Sequence, residues 1–181
     1  MFKHIIRKTV VAFLLMTTFA ATAKSETTLT NQEEQVACLA QNIYFEAKGE
    51  SVLGQMAVAF VTMNRVLSDK YPNTVCEVVK QGYVSRWHLN NTGKVVPLRN
   101  KCQFSWWCDG KPDRIRNQEI YNGLIQLARV FVKNYHAMRD ITHGSLWYHA
   151  DYVSPSWKSH MRKTVKIGRH IFYAERTNSR G

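Results

Sequence analysis

The chain has 181 residues, of which 45% are hydrophobic and 21% charged, and this balance excludes a disordered chain. Its length makes one domain the default and allows a hydrophobic core without metal staples. The 25 Lys and Arg against 13 Asp and Glu give a net charge of +12. That excess points to an anionic partner: nucleic acid, a membrane surface or an acidic polymer.

The first element is an export signal over residues 1–23. Lys3, Arg7 and Lys8 precede an apolar run from Thr9 to Ala20, and Ala21-Thr22-Ala23 supplies small residues for cleavage. The run is shorter than the ~20 residues of a membrane-spanning helix. Its removal would lower the net charge from +12 to +9 and leave no stable membrane span. The expected location is the periplasm or the extracellular cell wall.

Residues 24–35 read as a flexible lead-in, 36–175 as the main domain and 176–181 as a tail. Thr30 and Glu33 make a capping box. Val36, Leu39, Ala40, Ile43, Tyr44 and Ala47 then follow helical spacing up to a stop at Gly49. A second helix is expected from Ser51 to Leu67, apolar nearly all round and therefore central. Thr74 and Glu77 open a short helix to Lys80. The stretch from Gln81 to Arg116 mixes Gly, Asn, Pro, aromatic and basic residues without period and reads as a long loop region. A helix over 117–135 follows, then short strands at 145–149 and 167–173, giving an α+β domain: helical with a small β element.

Cys38, Cys76, Cys102 and Cys108 all follow the signal, and an even count in an exported chain suggests disulfides. Three pairings are possible; Cys102 and Cys108 flank a short loop and form the natural first pair, leaving Cys38 with Cys76. The spacings are unlike those of zinc sites. No metal or other cofactor is expected, because HExxH, GxSxG and Gly-rich phosphate motifs are all missing.

The candidate for chemistry is Glu46, in Tyr44-Phe45-Glu46-Ala47-Lys48-Gly49-Glu50. On a helical wheel it lies about 90° from the centre of the apolar stripe, beside Leu39 and Ile43. A carboxyl at that margin can line a cleft while partly desolvated, which raises its pKa and suits a general acid. Glu50, four residues on, approaches from the same side. The paired carboxylates of a glycosidase instead flank a bond about 5 to 9 Å apart. Glu50 is expected to anchor the interhelical turn, and Asp109 is the better-placed second acid.

These words, with Gly54-Gln55-Met56-Ala57-Val58-Ala59, Asn64-Arg65-Val66, Cys102-Gln103-Phe104-Ser105-Trp106, Asp109-Gly110, Asp140-Ile141-Thr142-His143-Gly144-Ser145 and Ile167-Gly168-Arg169-His170-Ile171-Phe172-Tyr173, resemble the SleB/CwlJ family of cell-wall hydrolases. The resemblance runs in the family's order from about Ala37 to Tyr173. It implies a peptidoglycan-cleaving enzyme with a lysozyme-like fold related to lytic transglycosylases, and Glu46 as its catalytic carboxylate. The chain departs from the family pattern at Lys48 (commonly Arg), His143 (Gly or Asn) and Ser145 (Ala).

Within the matched words, Gln55, Ser105, Trp106, Asp109, Thr142 and Tyr148 are expected to bind substrate, and Asn64 to brace the fold. Peptidoglycan is the expected partner, with anionic envelope polymers beside it. A noncatalytic wall-binding protein and an amidase are the competing readings. A nucleic-acid partner is excluded by the export signal and the absence of a nucleic-acid motif.

Overall fold

An apolar run with no polar side must be covered from every direction, and this requirement organises the molecule. The structure, a computed structural model, describes residues 31–176, so the expected export signal, most of the expected lead-in and nearly all of the expected tail lie outside the described residues. From Gln35 onward the chain forms one unit.

Helix α1 covers 31–47, so the residues assigned to the end of the lead-in are already helical. Helix α2 (Val52–Leu67) starts where the Ser51 side chain accepts the Gly54 N–H and stops at Ser68. Its residues Ala57 to Met63 are all buried. One side packs with α1, with α3 (Val75–Lys80) and with α5 (Gln118–Asn134) around Leu39, Ile43, Phe60, Val78 and Phe131. The opposite side, through Ala57 and Val61, meets Phe172 of a three-stranded sheet. Thr74 caps α3 through its side chain, which accepts the Glu77 N–H. The Cys38–Cys76 disulfide ties α1 to α3.

The sheet has the order β3 (Trp147–Ala150), β5 (His170–Ala174), β4 (Arg162–Ile167), all antiparallel. The run 167–173, expected to be one strand, holds the end of β4, the corner of the β4–β5 hairpin and most of β5. Gly168 adopts φ 56°, a left-handed conformation that ends β4 and turns the chain back. A Cβ at Gly168 would clash with Glu50 Oε2, and the neighbouring Arg169 N–H donates to that same oxygen at 3.2 Å. Glu50 thus joins the α1–α2 turn to the β4–β5 hairpin.

The stretch 81–116 is more ordered than a long loop. β1 (Gly82–Val84) pairs antiparallel with β2 (Pro97–Cys102), and α4 (Arg86–Thr92) lies between them. A 3₁₀ turn (Ser105–Cys108) follows, tied back to β2 by the Cys102–Cys108 disulfide. The alternation needed to recognise strands is hidden here because most of β2 is exposed on both faces.

Asn64 braces the molecule. Its amide donates to Asp140 Oδ2 at 3.0 Å, Thr142 Oγ1 at 3.3 Å and the Ser145 carbonyl at 3.0 Å, and its oxygen accepts from Tyr135 OH. Within the 140–145 turn, His143 holds φ 57°, the left-handed conformation that Gly or Asn adopts most readily. Asn64→Ala would strip partners from groups in the interior. A loss of about 3 kcal/mol in unfolding free energy is expected from urea denaturation; an unchanged midpoint would show that the amide braces nothing.

Candidate active site

Helix α1 carries Glu46 in its last turn, on the flank of the stripe that Leu39, Ile43 and Ala47 lock into the core. The sheet supplies its partner. Tyr148 on β3 pairs with Phe172 on β5 in register, so both face α2. From there the Tyr148 hydroxyl donates to Glu46 Oε2 at 2.9 Å. Arg65, on α2, is 4% exposed; its Nε donates to the Leu146 carbonyl at 2.8 Å and its guanidinium lies 4.8 Å from the Phe104 ring centre. Its Nη1 has no hydrogen-bond partner.

These groups open onto a cleft of about 570 Å³. Glu46, Ser105, Trp106, Asp109 and Tyr148, expected from the sequence to form the site, all line it, together with Arg65 and His170. Trp106 is a wall of this cleft and not an open platform: it is only 8% exposed and stacks on Phe45 at 4.6 Å. Its indole N–H donates to Asn42 Oδ1 at 2.9 Å, and the Asn42 amide donates to Thr62 Oγ1 at 3.0 Å. That buried chain locks the 3₁₀ turn to α1 and α2, and every polar atom in it has a partner, as interior amides require. Asp109 is less free than a second acid should be, since its carboxylate accepts the Lys111 N–H at 2.8 Å and lies 3.6 Å from Lys111 Nζ.

Two expected residues are not in the cleft. Gln55 lines a separate groove with Val52, Ile120 and Leu127, because its place on α2 turns it toward α5. Its amide donates to the Glu50 carbonyl at 3.3 Å. Thr142 is fully buried, and its N–H and Oγ1–H both go to Asp140 Oδ1 at 2.7 Å. Both are scaffold contacts.

Sequence reasoning passed over Arg65 and His170 as site residues. A cation inside an otherwise apolar helix was the available signal for Arg65. His170 shares its face with Phe172 by strand alternation, is 8% exposed, and has a ring T-stacked on Tyr148 at 5.0 Å.

Burial pushes the Glu46 carboxyl above the ordinary range, while the Tyr148 hydroxyl and the Arg65 charge hold the rise in check. Burial, reinforced by the adjacent Glu46, drives the Tyr148 phenol well upward, so it remains a donor. Burial lowers the His170 pKa, which favours a neutral ring. The arrangement is a carboxyl able to hold a proton beside groups that stabilise it once the proton has left. Among the described residues no cluster of three His, Cys, Asp or Glu is placed to hold a metal ion.

The chain belongs to the cell wall hydrolase family, whose model matches residues 49–173. That span begins just after Glu46, so the candidacy of this residue rests on the geometry above. The α+β fold is similar to the crystal structure of the catalytic domain of the Bacillus cereus SleB protein, at 28% identity and TM-score 0.52, covering 77% of this chain and 89% of that one. It is equally similar (28% identity, TM-score 0.52) to the catalytic domain of the germination-specific lytic transglycosylase SleB from Bacillus anthracis, covering 77% of this chain and 93% of that one.

Among curated relatives, a spore cortex-lytic enzyme of Halalkalibacterium halodurans is 28% identical over 141 residues, covering 77% of this chain and 34% of the relative. One from Bacillus cereus is 45% identical over 47 residues, covering 26% of this chain and 18% of the relative. The chain therefore spans about a third or less of the curated relatives it matches.

Proposed function

We propose that this protein is an exported enzyme that cleaves peptidoglycan glycan strands between N-acetylmuramyl and N-acetylglucosaminyl residues, as a lytic transglycosylase with Glu46 as single general acid and base. The observation that carries the reading is the Glu46 carboxyl on the cleft wall, partly desolvated and held by Tyr148 at 2.9 Å. The similarity to a structure described as a lytic transglycosylase supports the outcome chosen. The Lys111 contacts of Asp109 favour one working carboxyl over two.

In the first step Glu46 gives its proton to the glycosidic oxygen, the muramyl C1–O bond breaks, and an oxocarbenium-like centre develops at C1. The N-acetylglucosaminyl residue leaves with a hydroxyl. The Glu46 carboxylate, stabilised by Tyr148 and Arg65, then takes the proton of the muramyl C6 hydroxyl as O6 bonds to C1. The product is a 1,6-anhydromuramyl end, no water is consumed, and Glu46 is protonated again. Attack by water at C1 would give a muramidase instead. Mass spectrometry of digested sacculi decides: anhydro ends are expected, and reducing ends alone would overturn transglycosylation. A failure to release any fragment would favour a noncatalytic wall-binding protein.

Activity requires protonated Glu46, so it should fall as pH rises through the elevated pKa of that carboxyl. Tyr148→Phe removes a hydrogen bond that favours the carboxylate, which raises that pKa further. The alkaline limb of the kcat/KM profile should therefore move to higher pH in Tyr148→Phe. A shift to lower pH, or none, would remove Tyr148 from this role.

A further inference from the structure

The β1–α4–β2 arm, residues 82–102, is built against the usual pattern for a surface excursion. Helix α4 is capped at both ends, by the Ser85 side chain and by Gly93 at φ 67°, yet none of its residues is buried. A seven-residue helix gains little from propensity alone. Its caps and the flanking strands hold Trp87 outward at 65% exposure, and Tyr83 on β1 is 73% exposed.

The charge of the segment is one-sided. Between Glu77 and Asp109 the chain carries Lys80, Arg86, Lys94, Arg99 and Lys101 and no Asp or Glu. The arm is also continuous with the cleft. Gln103 lines the cleft and, with Gln81, Gly82, Tyr83 and Lys101, a neighbouring depression of about 240 Å³. Its N–H donates to the Gln81 carbonyl at 2.9 Å, and the buried Gln81 Oε1 has no hydrogen-bond partner. At Gly82 a Cβ would lie 2.7 Å from Cys102 Sγ, so the absence of a side chain leaves room for the disulfide beside this depression.

We propose that this arm is a second binding surface for the glycan strand cut in the cleft, with Tyr83, Lys101 and Gln103 forming the first subsite outside it. The Tyr83 ring offers an apolar face to a sugar, the exposed Gln103 amide offers a donor and an acceptor, and the arm's cations suit the carboxylates of the peptide stems. The proposal rests on the peptidoglycan reading given above. Leu89, Val95 and Leu98 are exposed on the same arm and would suit an anionic membrane, but it is the continuity with the cleft through Gln103 that favours the glycan.

The test is co-sedimentation of the full chain with purified sacculi, using Glu46→Gln so that the substrate persists. Tyr83→Ala with Lys101→Ala, both exposed side chains, should raise the half-saturating concentration about tenfold and flatten its salt dependence. With Glu46 present, the same pair should slow digestion of sacculi far more than digestion of short soluble fragments. Thermal melting matching the parent would show that the fold is kept.

Unchanged sacculus binding, or an equal loss on both substrates, would overturn the proposal. So would a substitution effect confined to phosphatidylglycerol vesicles, which would assign the arm to a membrane. If the unsubstituted chain cleaves nothing while arm-dependent sedimentation persists, the catalytic reading fails and the arm remains supported.

Discussion

Glu46→Gln should reduce the digestion of sacculi by about 10³-fold or more, because one group serves as both acid and base and an amide can do neither. The substitution preserves shape, and the Gln carbonyl oxygen can still accept from Tyr148, so positioning survives while proton transfer is lost. Stability should move the other way. The folded-state pKa of Glu46 is raised by burial, so the fold tolerates the protonated form and loses stability as pH rises from the unfolded value through the folded one. Glu46→Gln removes that loss. The variant should melt at the parent's temperature in acid and above it at alkaline pH. A variant that still clears sacculi would overturn the assignment, and a melting difference that grows toward acid would contradict the burial argument.

Removing the Cys38–Cys76 bridge should have the largest effect on stability. The bridge closes a loop with a sequence separation of 38 and joins α1, the helix that carries Glu46, to α3. The entropy recovered by the unfolded chain when a loop of that length opens is worth about 4 kcal/mol, a large part of the 5 to 15 kcal/mol typical of a domain. Both cysteines are buried, at 6% and 7% exposure, so alanine replaces them with less disturbance than serine. Cys38→Ala with Cys76→Ala should lower the melting temperature by roughly 10 °C. The parent treated with dithiothreitol, which opens Cys102–Cys108 as well, should fall at least as far. Coincident melting curves with and without the bridge would show that it constrains nothing.

The helical half of the fold was legible because its signals are local. Ser51 and Thr74 cap the helices they were expected to open or precede, and the all-round apolar run of α2 could only be a central element. The strands were harder. β4 alternates poorly because Arg162, Lys163 and Lys166 sit at an exposed edge, and its turn at Gly168 was read as the start of a strand. In the site, Glu46 announced itself through its angle to a stripe, a property of one helix. Gln55 and Thr142 stand in words a few residues from Glu46 and Tyr148 but point elsewhere, since proximity in sequence does not fix which face of an element meets the cleft. Arg65 and His170 reach the cleft through packing of α2 against β5, which no local pattern encodes.

The contact between Glu50 and Gly168 carries a consequence for sequence variation. With Gly168, the Glu50 carboxylate crowds the space a Cβ would need, so the two positions share one small volume. A relative with any side chain at 168 should carry a shorter residue at 50, and one that keeps Glu at 50 should keep Gly at 168. A side chain at 168 alone would push the Glu50 carboxylate aside and release the Arg169 N–H, loosening the tie between the hairpin and the helical turn. A change at 168 is therefore expected only with a change at 50, although neither residue lines the cleft.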